Sequence, residues 1–162
     1  MNSKETLYLI DGSSYIFRAF YGIRQNLSNS MGLPTNAIFG FVKMLQKVVR
    51  EEKPNYLAVA FDTPVKTFRH QVYPEYKANR SEPPEDLKLQ FPYFEPIVKA
   101  FNIFCLKKEG FEADDIIGTM AKQGEKNGLR VIIVSSDKDL MQLIGSDVRM
   151  LDTMKNKIIS VK

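Results

Sequence analysis

An α/β fold, with a mostly parallel central sheet and helices on both faces, is what this sequence predicts, and three observations predict it. Short continuous apolar runs recur at strand length: Leu7–Ile10, Tyr56–Phe61, Ile103–Leu106 and Arg130–Val134. Between them lie stretches whose apolar residues fall at helical spacing. Strands alternating with helices in this way favour parallel pairing, because the intervening helices cover both faces of the sheet. The third observation is that the runs end in turn residues carrying a carboxylate: Asp11-Gly12, Asp62-Thr63-Pro64 and Ser136-Asp137.

The elements follow in order. Leu7–Ile10 reads as a buried strand, and Tyr15, Ile16, Phe17, Phe20 and Tyr21 form a helix after a sharp turn. Asp-Gly is also a hairpin signal, but no second alternating strand follows it. Residues 22–34 read as a loop. Thr35-Asn36 then cap an amphipathic helix, with Ile38, Phe41, Val42, Leu45, Val48 and Val49 on its core face and Lys43, Lys47 and Arg50 on the solvated one. Lys53-Pro54-Asn55 ends it. Tyr56–Phe61 is the second buried strand. Leu87–Phe101 is mostly helical despite Pro92 and Pro96, and Ile103–Leu106 is the third strand. A helix over 113–126 closes at Asn127-Gly128. Arg130–Val134 runs into a further helix beginning near Leu140, for which Ser136 and Asp139 form a candidate capping box. Val148–Leu151 and Lys157–Val161 read as edge strands.

Composition narrows the chemistry. The 162 residues, 44% hydrophobic, suffice for one complete domain with its own core and are few for two. One cysteine, Cys105, excludes a disulfide or a cysteine-rich zinc site, and a single histidine, His70, argues against histidine-rich zinc chemistry. Any metal must therefore be held by oxygen, which points to Mg2+ or Mn2+. No apolar run approaches membrane-spanning length and Met1–Thr6 shows no signal-peptide pattern, so a cytoplasmic protein without membrane contact is expected.

Gly110-Phe-Glu-Ala-Asp-Asp115 is the stretch that concentrates the chemistry. Three carboxylates, Glu112, Asp114 and Asp115, crowd the start of a helix. One or two acids there serve the helix macrodipole. In a parallel α/β sheet, however, Asp11, Asp62 and Asp137 also arrive at the carboxyl ends of strands, the edge where such folds bind ligands. Each acid alone has an ordinary structural explanation, whereas their coincidence on one edge predicts a metal site. Up to seven carboxylates, Asp139 included, repel one another in one cleft. Two divalent ions relieve that repulsion, as in phosphoryl-transfer enzymes.

Residues 65–86 differ from the rest. They show no clean period and place Lys66, Arg69, Lys77 and Arg80 among Phe68, Tyr73 and Tyr76. Cations interleaved with aromatic rings suit single-stranded nucleic acid. The segment is expected to be flexible and poorly ordered without ligand.

Taken together, Leu9-Ile-Asp-Gly-Ser-Ser-Tyr-Ile-Phe-Arg18, Val59-Ala-Phe-Asp62, Phe68-Arg69, Tyr76-Lys-Ala-Asn-Arg80, Gly110–Asp115 and Ser136-Asp-Lys-Asp-Leu140 closely resemble the 5′ nuclease domain found in bacterial DNA polymerase I. That family is kin to phage 5′ exonucleases and flap endonucleases. The resemblance covers essentially all of residues 1–162 and implies a PIN-like (Rossmann-like) fold. It also implies a metal-dependent nuclease removing 5′ flaps and RNA primers from DNA in replication and repair, with a polymerase domain in cis and the chain expected to be a monomer. By motif, Asp11, Asp62, Glu112 and Asp114 resemble ligands of a first metal ion, and Asp137 and Asp139 ligands of a second, with Asp115 beside them. Arg69, Tyr76, Lys77 and Arg80 resemble the flexible basic arch that in this family closes over the 5′ single strand, Lys77 and Arg80 nearest the scissile bond, and Arg18 resembles a phosphate contact. Asp114 is included with Lys77 and Arg80 among the catalytic residues. The family pattern continues past residue 161 into a helical duplex-binding domain with further aspartates, so an under-liganded second site and weakened activity are expected here. Two alternatives remain: a catalytically silent nucleic-acid-binding fragment that keeps the arch, and a PIN-type single-strand ribonuclease.

Overall fold

A computed structural model describes residues 4–161; residues 1–3, part of the stretch read for a signal peptide, and Lys162 lie outside the described residues. Six strands form one sheet: β1 (Thr6–Asp11), β2 (Tyr56–Ala60), β3 (Phe104–Leu106), β4 (Arg130–Val134), β5 (Val148–Asp152) and β6 (Lys157–Ile159). Their spatial order is β3-β2-β1-β4-β5-β6. β1 to β5 are parallel, and only β6 is antiparallel, returning on β5 as a hairpin. β5 is thus an interior strand, not the edge strand expected, because β6 covers its free side; the edges are β3 and β6.

Strand alternation sends side chains to two cores. Tyr8 and Ile10 of β1, Val59 of β2 and Ile132 and Val134 of β4 face one layer, formed by α1 (Gly12–Gly22), α2 (Asn36–Lys47) and α5 (Phe91–Ala100). Phe41, Leu45, Phe94 and Val98 fill that layer. Leu7, Leu9, Ala58, Ala60, Val131 and Ile133 face the other, where α6 (Ala113–Lys126) lies across the sheet on Ile117 and Ala121. Helices therefore cover both faces, as expected. Between α2 and α5 the chain also forms two short helices, α3 (Phe68–Val72) and α4 (Glu85–Lys88).

Several local features differ from the sequence reading. α2 runs into one widened π turn over Val48–Glu52, ended by Lys53 in the left-handed region at φ 46°. The wider turn rotates Val49 off the core face, leaving it 39% exposed. Lys47 does not lie on a solvated face: its ammonium donates to the Thr153 carbonyl at 3.1 Å. The Thr35 side chain makes no cap bond. The helix after β4 is 3-10, over Lys138–Leu143, and its cap is Asp137. The Ser136–Asp139 capping box does not form because the Asp137 carboxylate accepts from the Asp139 N–H at 2.9 Å.

Candidate metal and nucleic-acid site

The parity that builds the α6-side core also aims the acids. Asp11 follows Leu7 and Leu9 by twos, Asp62 follows Ala58 and Ala60, and Ser135 follows Val131 and Ile133. Each therefore continues a row that faces α6, whose first turn carries Asp114 and Asp115. Asp11, only 3% exposed, accepts from the Ser14 N–H at 3.1 Å and from the Ser135 hydroxyl at 3.0 Å. Asp62 accepts from the Ala113 N–H at 2.7 Å, tying the end of β2 to the start of α6. The Asp137 N–H donates back to Ser135 Oγ at 3.0 Å, so one hydroxyl links the ends of β1 and β4.

Asp114 is the electrostatic centre of this group. Its carboxylate has no hydrogen bond or ion pair among the described residues. Burial, reinforced by the charges of Asp11, Asp137, Asp62 and Glu112, pushes it up to about 7. Burial likewise raises Asp11 to about 6, against the lowering effect of its two hydrogen bonds. Five carboxylates from four chain segments thus act on one another at one sheet edge. Among the described residues, no three His, Cys, Asp or Glu side chains are already gathered around a point where an ion would sit. The donor set nonetheless fits a hard cation: all oxygen, mutually repelling, with its central member unpartnered.

The outer acids are engaged with the basic segment. Arg69 grips Asp115 through two bonds of 2.7 Å, which hold that carboxyl below its ordinary range. Asp115 also accepts from the Glu112 N–H at 3.0 Å, as part of the α6 cap. Lys77 donates to Glu112 at 2.6 Å, and the Tyr76 hydroxyl reaches the same carboxylate at 3.4 Å. Residues 65–80 are thus more regular than expected. Phe68 packs on Phe111 at 5.7 Å between centroids, and its N–H bonds the Gly110 carbonyl at 3.0 Å, anchoring α3 to the loop before α6. Arg80 and Asp139 are exposed and have no side-chain partner among the described residues.

Arg18 lies away from the acids at the start of α6: it pairs with Asp152 at 3.3 Å. Asp152, 5% exposed at the end of β5, is a strand-end carboxylate the sequence reading missed. The signal was present, since Leu151-Asp152 repeats the apolar-then-acid ending of Ile10-Asp11 and Phe61-Asp62. A cleft of about 780 Å³ opens along the site, with Arg69, Tyr76, Glu112, Asp114, Asp115 and Asp139 on its walls. No helix among the described residues is long and apolar enough to cross a membrane.

Fold and edge together define a parallel α/β domain with an acidic cleft at its carboxyl edge and a cationic segment folded across part of it. The chain belongs to the family described as the 5′-3′ exonuclease, N-terminal resolvase-like domain, whose model matches residues 6–162. It is 48% identical to the DNA polymerase I of Rhizobium leguminosarum over 99% of this chain and 16% of that protein. It is 42% identical to the 5′-3′ exonuclease of Aquifex aeolicus (strain VF5) over 96% of this chain and 54% of that protein. The chain therefore spans about half or less of the length of these relatives. Among solved structures, a bacteriophage T5 5′-exonuclease with divalent metal ions (zinc) bound shares the fold at TM-score 0.68 and 20% identity, over 96% of this chain and 58% of that one. The catalytic core of Rad2 in complex with DNA substrate matches at TM-score 0.52 and 15% identity, over 91% of this chain and 42% of that one.

Proposed function

We propose that this chain is the metal-binding part of a 5′-to-3′ exonuclease and 5′-flap endonuclease that hydrolyses phosphodiester bonds of DNA and of RNA primers paired to DNA. The observation that carries the reading is the convergence of Asp11, Asp62, Glu112 and Asp137 on the partly buried, unpartnered Asp114, which burial and then their charges push up to about 7. A site that holds its central carboxylate unpartnered and half-protonated near neutrality is built for cations. The names and bound ions of its relatives support the same reading.

In this reading Asp11, Asp62, Glu112 and Asp114 hold a first Mg2+ or Mn2+, and Asp137 and Asp139 a second, with Asp115 adjoining. Bound there, the ions supply an activated water and neutralise charge on the phosphoryl oxygens. The remaining work belongs to the chain's own groups. Ser135 and the Ser14 N–H fix the Asp11 carboxylate by hydrogen bonds to its two oxygens. Arg69 holds Asp115 and orients the first turn of α6. Lys77 and Arg80 meet the scissile phosphate, with Lys77 exchanging Glu112 for it, while Tyr76 offers a ring to a base. Arg18, held by Asp152, meets a phosphate farther from the carboxylates. The substrate is DNA with a 5′ single-stranded flap, and a polymerase domain in cis is the partner its relatives suggest.

The test is cleavage of a labelled 5′-flap duplex in Mg2+ and in Mn2+, with Asp114→Asn alongside. The expected result is metal-dependent release of the flap that the variant loses by two orders of magnitude or more. Cleavage that survives Asp114→Asn, or that proceeds equally in chelator, overturns the reading.

A further inference from the structure

The cleft does not end at the carboxylates. It continues along α6 past Gly118 and Thr119 to Lys122, and its opposite wall is the 3-10 helix, with Lys138, Gln142 and Leu143. Asp115, Thr119 and Lys122 recur at i, i+4 and i+7, so they lie on one face of α6. By the rise of an α-helix, Lys122 stands about 10 Å beyond Asp115. We propose that this arm is a binding track for the phosphodiester backbone of the strand being cut, with Lys122 and Lys138 neutralising phosphates adjacent to the one at the carboxylates.

Three features support that assignment. The first is the state of the cations. At the other end of the cleft Arg69 is ion-paired to Asp115, and the wall residue Glu112 is paired with Lys77. Lys122 and Lys138 have no ion pair or side-chain hydrogen bond among the described residues, although Lys138 stands between Asp137 and Asp139 in sequence. Two free ammonium groups on facing walls are available to a polyanion. The second is shape. A Cβ added at Gly118 would already touch the Leu143 side chain at 3.7 Å, so α6 and the 3-10 helix close on each other there and bound a groove, with Lys122 and Lys138 exposed at its rims. The third is what the arm lacks: its wall residues beyond Tyr76 include no aromatic ring on which a base could stack. Charge without stacking surface selects phosphate and is indifferent to sequence.

This inference rests on the proposed nuclease reading and adds the path of the strand. Its test is binding of a labelled 5′-flap duplex in Ca2+, followed by fluorescence anisotropy across a NaCl series. The variants are Lys122→Ala/Lys138→Ala and, as a control on the opposite layer, Lys43→Ala. Loss of two single-strand phosphate contacts should lower the slope of log K against log salt by about 1.4, while the control keeps the wild-type slope. Methylphosphonate replacement of the linkages next to the scissile one should then weaken the wild type and leave the double variant unaffected. The melting temperature should be unchanged, since both lysines are exposed. A double variant with the wild-type slope, or equal sensitivity of both proteins to the neutral linkages, overturns the track and leaves the nuclease reading standing. A wild-type protein that neither binds nor cleaves the flap overturns both.

Discussion

Asp114 and Asp11 are carboxyls held above their ordinary range by burial and by one another, at about 7 and about 6. The native protein therefore keeps protons that the unfolded chain has already released. As pH climbs from about 4 toward 7, stability of the metal-free protein should fall, and then level off once both groups have ionised. Asp115, lowered by Arg69, acts in the opposite sense but only on the acid side of the usual carboxylate range. Urea unfolding in chelator at pH 5 and pH 8 should show the lower stability at pH 8, and Asp114→Asn should shrink that difference; an undiminished difference would mean that Asp114 does not set it. Arg69→Gln should cost about 1 kcal/mol in the same assay, because it removes a bidentate pair at a partly shielded site. Arg69→Lys should recover only part, since an ammonium cannot make both bonds. The acids themselves were legible because each closes an apolar run or opens a helix. Their partners were not: Arg69 and Asp115 are 46 residues apart, Arg18 and Asp152 134 apart. Only the fold brings such residues together. Local competition was equally hidden, as where Asp137, with a shorter reach to the Asp139 N–H, displaced the expected Ser136 cap.

At the scale of elements, α1 and α6 are seated by glycines whose positions predict different consequences. A Cβ at Gly12 would lie 2.6 Å from the Phe61 ring and 2.7 Å from Val59. One at Gly124 would lie 2.7 Å from Val131. Either alanine variant should cost about 1–3 kcal/mol by overpacking. Gly12, however, adjoins Asp11 and presses on the residue before Asp62, whereas Gly124 lies near the far end of α6, more than two turns from Asp114. Gly12→Ala should therefore also weaken Mn2+ binding measured by calorimetry, while Gly124→Ala should leave it unchanged. Equal loss of Mn2+ affinity in both would show that the site follows global stability and not the seating of β1 and β2. Element type and order were readable from apolar periodicity: β1, β2, β4 and α6 fall where the sequence places them, because their runs are long or strongly patterned. The short pieces were less readable. α3 depends on Phe68 meeting Phe111, the π turn after α2 has no local sequence signal, and the interior place of β5 depends on a hairpin with only three paired residues.

For the whole molecule, strand order decides whether the acids meet. The chain lays down β1, builds β2 and β3 to one side, then crosses through α6 to place β4 and β5 on the other. β1 is therefore flanked by β2 and β4, and the ends of all three strands open at the point where the order reverses. Pattern in the sequence could predict a parallel sheet, and so a shared edge, but not which strands are neighbours. A different order would have left Asp62 and Asp137 on the same edge yet strands apart. With this order, a divalent ion held as proposed would compete with protons for the same carboxylates, and the competition has a sign. A divalent ion stabilises the native state by RT ln(1 + [L]/Kd), and Kd should tighten as Asp11 and Asp114 release their protons. Mg2+ or Mn2+ should accordingly raise the melting temperature more at pH 8 than at pH 5.5, opposite to the trend of the metal-free protein, and the gap should narrow in Asp114→Asn. Thermal unfolding with and without metal at the two pH values measures this. An equal rise at both would mean that the ion is held by a group already ionised at pH 5.5, such as Asp115, and not by the buried centre at the β1–β4 switch.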